Sequence, residues 1–282
     1  MERYVIHVTK KCNLNCLYCY EKDKTSEYTW EEIKSLIDNI CNYNKEFSIE
    51  FLGGEPMLRF DLIKQTIQYL KTKEVFVNDY IITTNGTIIN KELIDLMKEN
   101  DNISFSVSID GGYFANQLRI TKDNKNSFDL VMKNIKELQS HGIIPSVHMV
   151  SHPFNVGLIA KSIDLFYNNN IKYIGVGIIE STIDITEEYC KEWVKQMKYV
   201  SNKIKNGDYK DLYISELEWL KPLNDKRYYI KDGNGKIIAE TYGRVENDIT
   251  KSDIYNSIPT GSSRADSINS MRFEVYNYHQ NK

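Results

Sequence analysis

The 282-residue chain is 41% apolar and sets 36 Lys and Arg against 39 Asp and Glu, a net charge of −3. That length suits one large α/β domain or one domain with a modest appendage, and no basic block advertises a nucleic-acid or membrane partner. No run approaches a membrane span, Lys10 and Lys11 interrupt the N-terminus before a signal-peptide core forms, and five cysteines are a poor disulfide framework, so the expected compartment is cytoplasmic.

The first predicted strand, Tyr4–Val8, runs into a loop with cysteines at 12, 16 and 19. Trp30, Ile33, Ile37, Ile40 and Cys41 then mark one helical face, and Ser48–Leu52 reads as a second strand ending at Gly53-Gly54-Glu55-Pro56. Leu62, Ile63, Thr66, Ile67 and Leu70 repeat the helical spacing before a third strand, Tyr80–Thr83, which ends at Thr84-Asn85-Gly86. Leu93, Leu96 and Met97 predict the next helix, and Ile103–Ile109 the fourth strand, closing on Asp110-Gly111. Val131, Met132, Ile135 and Leu138 precede strand Pro145–Val150, and Val156, Ile159, Ile163 and Phe166 precede strand Tyr173–Ile179. Tyr189, Trp193, Met197 and Val200 form a last helical face.

Strand and helix alternate throughout, which predicts a parallel sheet with helical crossovers: an α/β fold of partial (β/α)6 barrel type over residues 1–206. After Asn206-Gly207-Asp208 the texture becomes polar and Tyr-rich, so residues 207–282 are expected to form a small C-terminal extension without cysteines. In it, Asp232-Gly233-Asn234-Gly235 separates Arg227–Lys231 from Lys236–Thr241 as a β-hairpin. Thr260–Arg264 reads as a loop, and Met271–Tyr276, which alternates sides, as a final strand.

Three thiols within eight residues are a natural metal-ligand set in a reducing compartment. Three thiolates can hold three irons of a cubane cluster and leave the fourth iron open to another ligand. The competing reading is a zinc site built from these cysteines and a distant fourth ligand such as Cys41 or His7. Cys41 and Cys190 sit at helical spacing among apolar residues and are read as buried core cysteines.

The loop Cys12-Asn-Leu-Asn-Cys16-Leu-Tyr18-Cys19, followed by Gly53–Pro56, Thr84–Gly86 and Ser108-Ile109-Asp110-Gly111 at successive strand ends, resembles the radical S-adenosylmethionine (SAM) superfamily. Strand carboxyl ends are where a barrel-like α/β fold gathers its active-site loops. The resemblance implies one [4Fe–4S] cluster on Cys12, Cys16 and Cys19, with Tyr18 beside the last ligand. It implies SAM bound by Gly53, Gly54, Glu55 and Pro56 at its amino group, by Ser108, Asp110 and Asn85 at its ribose, and by Arg119 at its carboxylate. Gly175–Glu180 resembles the segment that packs along adenine.

The implied activity is reductive cleavage of SAM to a 5′-deoxyadenosyl radical that abstracts hydrogen from a substrate. A reductant such as flavodoxin or ferredoxin would be the electron-donating partner. The motif wording looks most like the branch of anaerobic sulfatase-maturing enzymes and ribosomal-peptide maturases, which makes a peptide or amino-acid residue the expected substrate. No cysteine follows Cys190, so auxiliary clusters are not expected. A small metabolite or nucleotide substrate, and a non-catalytic iron–sulfur or zinc module, are the alternatives. His148, His152, Glu50 and Glu180, on or near strand ends, are candidates for proton transfer or substrate contact.

Overall fold

The structure is a computed structural model that describes residues 2–179, 185–218, 227–231, 237–242, 255–256 and 263–280. Seven parallel strands lie side by side in chain order: β1 (Glu2–Thr9), β2 (Glu46–Gly53), β3 (Phe76–Thr84), β4 (Ile103–Ser108), β5 (Ser146–Ser151), β6 (Tyr173–Ile178) and the two-residue β7 (Tyr213–Ile214). The sheet does not close on itself, because β1 pairs on its free edge with a C-terminal strand rather than with β7.

Helices α1 (Trp30–Tyr43), α2 (Phe60–Leu70), α3 (Lys91–Glu99), α4 (Phe128–Ser140) and α5 (Ile159–Asn168) make the crossovers between β1 and β6, and α6 (Glu187–Lys205) follows β6. Local sequence sets their starts. Thr29 and Glu32 form a reciprocal capping box at α1, and Asn90 and Thr186 cap α3 and α6 through their side-chain oxygens.

One face of the sheet supplies the core. Tyr4, Ile6 and Val8 of β1, Phe47, Ile49 and Phe51 of β2, and Phe105 and Val107 of β4 pack with Ile37, Ile63, Ile135, Ile163 and Trp193 of the helices in one continuous cluster. The period of two sends the intervening residues to the opposite face, where polar side chains stand among Val5, Leu52, Ile81 and Val150. There Thr83 donates to Glu50 at 2.7 Å, Arg3 pairs with Glu50 at 3.8 Å, and Ser104, Ser106, Ser108 and His148 follow on β4 and β5.

The six predicted parallel strands are present, and β7 adds a seventh that two residues could not announce in the sequence. The predicted hairpin is also present: β8 (Arg227–Lys231) pairs antiparallel with β9 (Ile237–Tyr242), and β9 pairs antiparallel with β1. Residues 232–235, expected to turn it, and Lys236, expected to open its second strand, lie outside the described residues. A short strand, β10 (Tyr255–Asn256), pairs with β8, and a single helical turn, α7 (Ser215–Glu218), follows β7.

Met271–Tyr276 is not a strand. It lies inside α8 (Ser263–Gln280), which also takes up Ser263 and Arg264 of the expected loop. Met271 and Val275 are one helical turn apart and both buried, while Lys198 bonds Glu274 and Lys205 donates to the Tyr278 carbonyl at 2.6 Å. Docking against α6 therefore overrides the apparent alternation of sides. Cys41 is buried in the core as expected, whereas Cys190 is only half-buried. No helix among the described residues is long and apolar enough to cross a membrane.

Candidate functional site

All five cysteines are free, and Cys12, Cys16 and Cys19 are half-buried in the loop between β1 and α1. The loop is held by a short antiparallel ladder against residues 118–121. Leu14 bridges Thr121, the Asn15 amide donates to the Ile120 carbonyl at 2.7 Å, and the Leu17 amide donates to the Leu118 carbonyl at 2.9 Å. This register puts Cys16 directly opposite Arg119, at the non-hydrogen-bonded position where paired side chains share a face and stand closest. Burial pushes the Cys12 and Cys16 thiols above their ordinary range, and the Arg119 charge opposes that rise at Cys16. Cys12 Sγ accepts from the Leu14 amide at 3.4 Å and from Asn85 Nδ2 at 3.7 Å.

Gly53-Gly54-Glu55-Pro56 leaves β2 against the start of this loop. The glycines are needed for an approach within the chain itself: a Cβ on Gly53 would fall 2.0 Å from the Thr9 carbonyl oxygen, and one on Gly54 2.3 Å from those of Lys10 and Lys11. The Gly54 amide donates to Thr9 and the Glu55 amide to Lys11, both at 2.8 Å. The Glu55 carboxylate is fully buried and accepts from Thr84 Oγ1 at 2.6 Å, the Asn85 amide at 2.7 Å and the Met57 amide at 3.0 Å. Burial raises its pKa against the pull of those three bonds. Glu55 thus braces the ends of β2 and β3, and Pro56 begins a 3-10 turn that buries Pro56 and Met57.

Asn85 ties the loop after β3 to the cysteine loop. Its Nδ2 donates to Asn13 Oδ1 at 2.8 Å, Asn13 Nδ2 donates to Thr87 Oγ1 at 2.7 Å, and Thr87 Oγ1 donates back to Asn85 Oδ1 at 2.6 Å. Asn13 and Thr87 went unnoticed in the sequence, although each sits inside or next to a motif that was singled out.

Tyr18, Asp110 and Arg119 form the third contact with the cysteine loop. The Tyr18 hydroxyl donates to Asp110 Oδ2 at 2.5 Å and accepts from Arg119 Nη1 at 2.7 Å, and Arg119 Nη1 lies 3.8 Å from Asp110 Oδ1. Asp110 is 0% exposed and Arg119 8%, so neither is a surface residue. Asp110, expected to face a ribose, has Oδ2 bonded by Tyr18 and Oδ1 by the Val150 amide at 3.0 Å. Burial pushes its carboxyl pKa up, and Arg119 and Tyr18 pull it back. Burial alone would lower the Arg119 pKa, but Tyr18, Cys16 and Asp110 around it raise it on balance. Asn116, a third unnoticed residue, accepts from the Asp110 amide at 3.0 Å and orders the segment leading to Arg119.

Of the remaining candidates, His152 borders this cluster and the others stand apart from it. Ser108 is half-buried on the polar face and in register with His148, whose imidazole lies over the backbone of β6. Cβ atoms on Gly175 and Gly177 would come within 2.6 and 2.7 Å of that ring, so the two glycines make its seat. His152 is buried beside the Tyr18 ring, with Nε2 unpartnered, and burial lowers its pKa to about 4. Glu50 is taken up by Arg3 and Thr83, and Glu180 lies outside the described residues.

The donor set fits an iron–sulfur cluster: three free thiols, which are soft ligands, on one braced loop with a buried cation beside one of them. No three His, Cys, Asp or Glu side chains among the described residues gather tightly enough to hold one ion, the three thiols included. Thiolates on one zinc stand about 4 Å apart, whereas those of a cubane bind separate irons.

The sequence profile described as the Radical SAM superfamily matches residues 6–166. An uncharacterised protein of Methanocaldococcus jannaschii is 32% identical over 248 residues, spanning 85% of this chain and 82% of that protein. Fe-coproporphyrin III synthase of Methanosarcina barkeri is 32% identical over 178 residues, spanning 60% of this chain and 42% of the synthase. In fold, the chain is similar to native anSMEcpe solved with bound AdoMet and Kp18Cys peptide, with a TM-score of 0.72 at 14% identity, covering 98% of this chain and 83% of that one.

Proposed function

Because the chain belongs to the radical SAM superfamily, whose members are enzymes, we propose that it holds one [4Fe–4S] cluster on Cys12, Cys16 and Cys19 and cleaves SAM with it. The observation that carries this reading is the single loop of three free thiols, anchored on separate sides by Gly54, Asn85 and the 118–121 ladder. When bound, the cluster supplies the one electron that splits SAM into methionine and a 5′-deoxyadenosyl radical able to take hydrogen from a substrate.

The residues of the chain hold and orient. Arg119 keeps its Nε buried without a hydrogen-bond partner, a donor left over for the methionyl carboxylate. Ser108 offers a hydroxyl to a ribose edge, Asn85, its side chain engaged by Asn13 and Thr87, holds the adjoining loop in place, and Gly53–Pro56 offers backbone to the amino group. Glu55 and Asp110 act mainly by holding their neighbours in place. In this reading residues 1–206 are the catalytic core and residues 207–282 an extension that borders it. The setting is cytoplasmic, where thiols stay reduced and a flavodoxin or ferredoxin can deliver the electron.

The substrate is a peptide or amino-acid residue, a reading supported by the motif wording and by the peptide bound to the similarly folded anSMEcpe. A small-molecule substrate is the second reading, favoured by the 32% identity to Fe-coproporphyrin III synthase. The two separate on reconstituted protein supplied with SAM and dithionite, with 5′-deoxyadenosine as the readout. A pool of short peptides should raise its formation about tenfold above the unstimulated rate, because remote contacts of a true substrate organise the reacting centre. Stimulation by metabolite or nucleotide pools alone would select the second reading.

A further inference from the structure

Arg119 is held from two directions. Backbone bonds at 15–120 and 17–118 set it opposite Cys16, and the Tyr18 hydroxyl holds its Nη1 at 2.7 Å. Asp110 sits one step further along the same chain of contacts, reaching Arg119 through Tyr18 at 2.5 Å and across 3.8 Å directly. Both charges are out of water, where salt screens little and the effective dielectric is low.

We propose that Arg119 and Asp110 form a buried charge pair that sets the reduction potential of a cluster bound at Cys16, Arg119 raising it and Asp110 opposing it. The inference rests on the cluster reading above and goes beyond it by assigning the pair a role that needs no SAM. One-electron reduction adds negative charge to the cluster and its thiolates. A fixed cation beside one thiolate stabilises the reduced form, and a carboxylate behind that cation destabilises it. Arg119, directly opposite Cys16, has the stronger hold.

The test is a redox titration of reconstituted, iron-assayed protein without SAM, poised with dithionite and mediators and read by the signal of the reduced cluster. Arg119→Met should lower the ratio of reduced to oxidised cluster at a fixed potential about tenfold, a shift of about 59 mV to the negative for a one-electron couple. Asp110→Asn should raise the same ratio several-fold, and Arg119→Lys, which keeps the charge, should stay near wild type. If Arg119→Met loads too little iron, Arg119→Gln keeps a donor for Tyr18 and tests the same loss of charge. Opposite signs in the neutral-Arg and neutral-Asp variants support the proposal, since a merely structural defect does not reverse with the charge removed. Shifts in the same direction, or none beyond twofold, would overturn it while leaving the cluster reading intact. Wild-type protein that takes up no iron–sulfur centre would sink both.

Discussion

Cys16→Ala is expected to abolish SAM cleavage while leaving the fold in place. The Cys16 backbone lies within the ladder, but the bonds that hold it come from the amides of Asn15 and Leu17, which the substitution leaves untouched. The thiol is half-buried rather than packed in the core, so stability should stay within about 1 kcal/mol of wild type. Removal of an outer partner of a metal ligand typically weakens a site 10–100-fold, and removal of a ligand itself should exceed that, so 5′-deoxyadenosine formation should fall by more than about a hundredfold. Iron content should drop from about four per chain toward background. The readings are iron and sulfide content, 5′-deoxyadenosine, and the denaturation midpoint. A variant that keeps its iron and its activity would remove Cys16 from the site.

Gly54→Ala should be as damaging by another route. A Cβ there would lie 2.3 Å from two carbonyl oxygens and 2.6 Å from the Lys11 carbonyl carbon, all backbone atoms of the stretch entering the cysteine loop. Flexible side chains could move aside, but this backbone can yield only by breaking the Gly54–Thr9 and Glu55–Lys11 bonds. The expected loss is roughly 3 kcal/mol or more, with cluster loading reduced in whatever protein folds, because Cys12 follows Lys11 directly. Gly142→Ala is the comparison. Gly142 has φ +81 but nothing within 4 Å of a Cβ, so its loss should stay near 1 kcal/mol and cluster loading should be unchanged. Equal effects from the two would show that the close approach at Gly54 is not what matters.

The parts of this molecule that read directly from its sequence are those with a local cause. A period of two or 3.6 is written within each element, and the cysteine loop and strand-end motifs each span a few residues. What did not read was settled at long range. Ile120 and Thr121 pair with the cysteine loop through only a few backbone contacts, too short a strand for any periodicity, and that pairing is what sets Arg119 against Cys16. Met271 and Val275 alternate convincingly with polar neighbours until α6 offers them a surface one helical turn apart. The residue types of Gly53 and Gly54 do not show what comes close to them, and the atoms that do are backbone atoms of Thr9–Lys11. Likewise Glu55 and Asp110 are polar residues in the expected places whose carboxylates are engaged inside the fold, a distinction that depends on Thr84, Asn85, Tyr18 and Val150.

Whether the three thiols hold a cluster that binds SAM is tested most directly by the electron paramagnetic resonance spectrum of the reconstituted, dithionite-reduced protein before and after SAM is added. The expected result is a reduced cluster whose signal changes when SAM arrives, together with methionine and 5′-deoxyadenosine in equal amounts. A protein that binds only zinc, or whose reduced signal is indifferent to SAM and yields neither product, would contradict it.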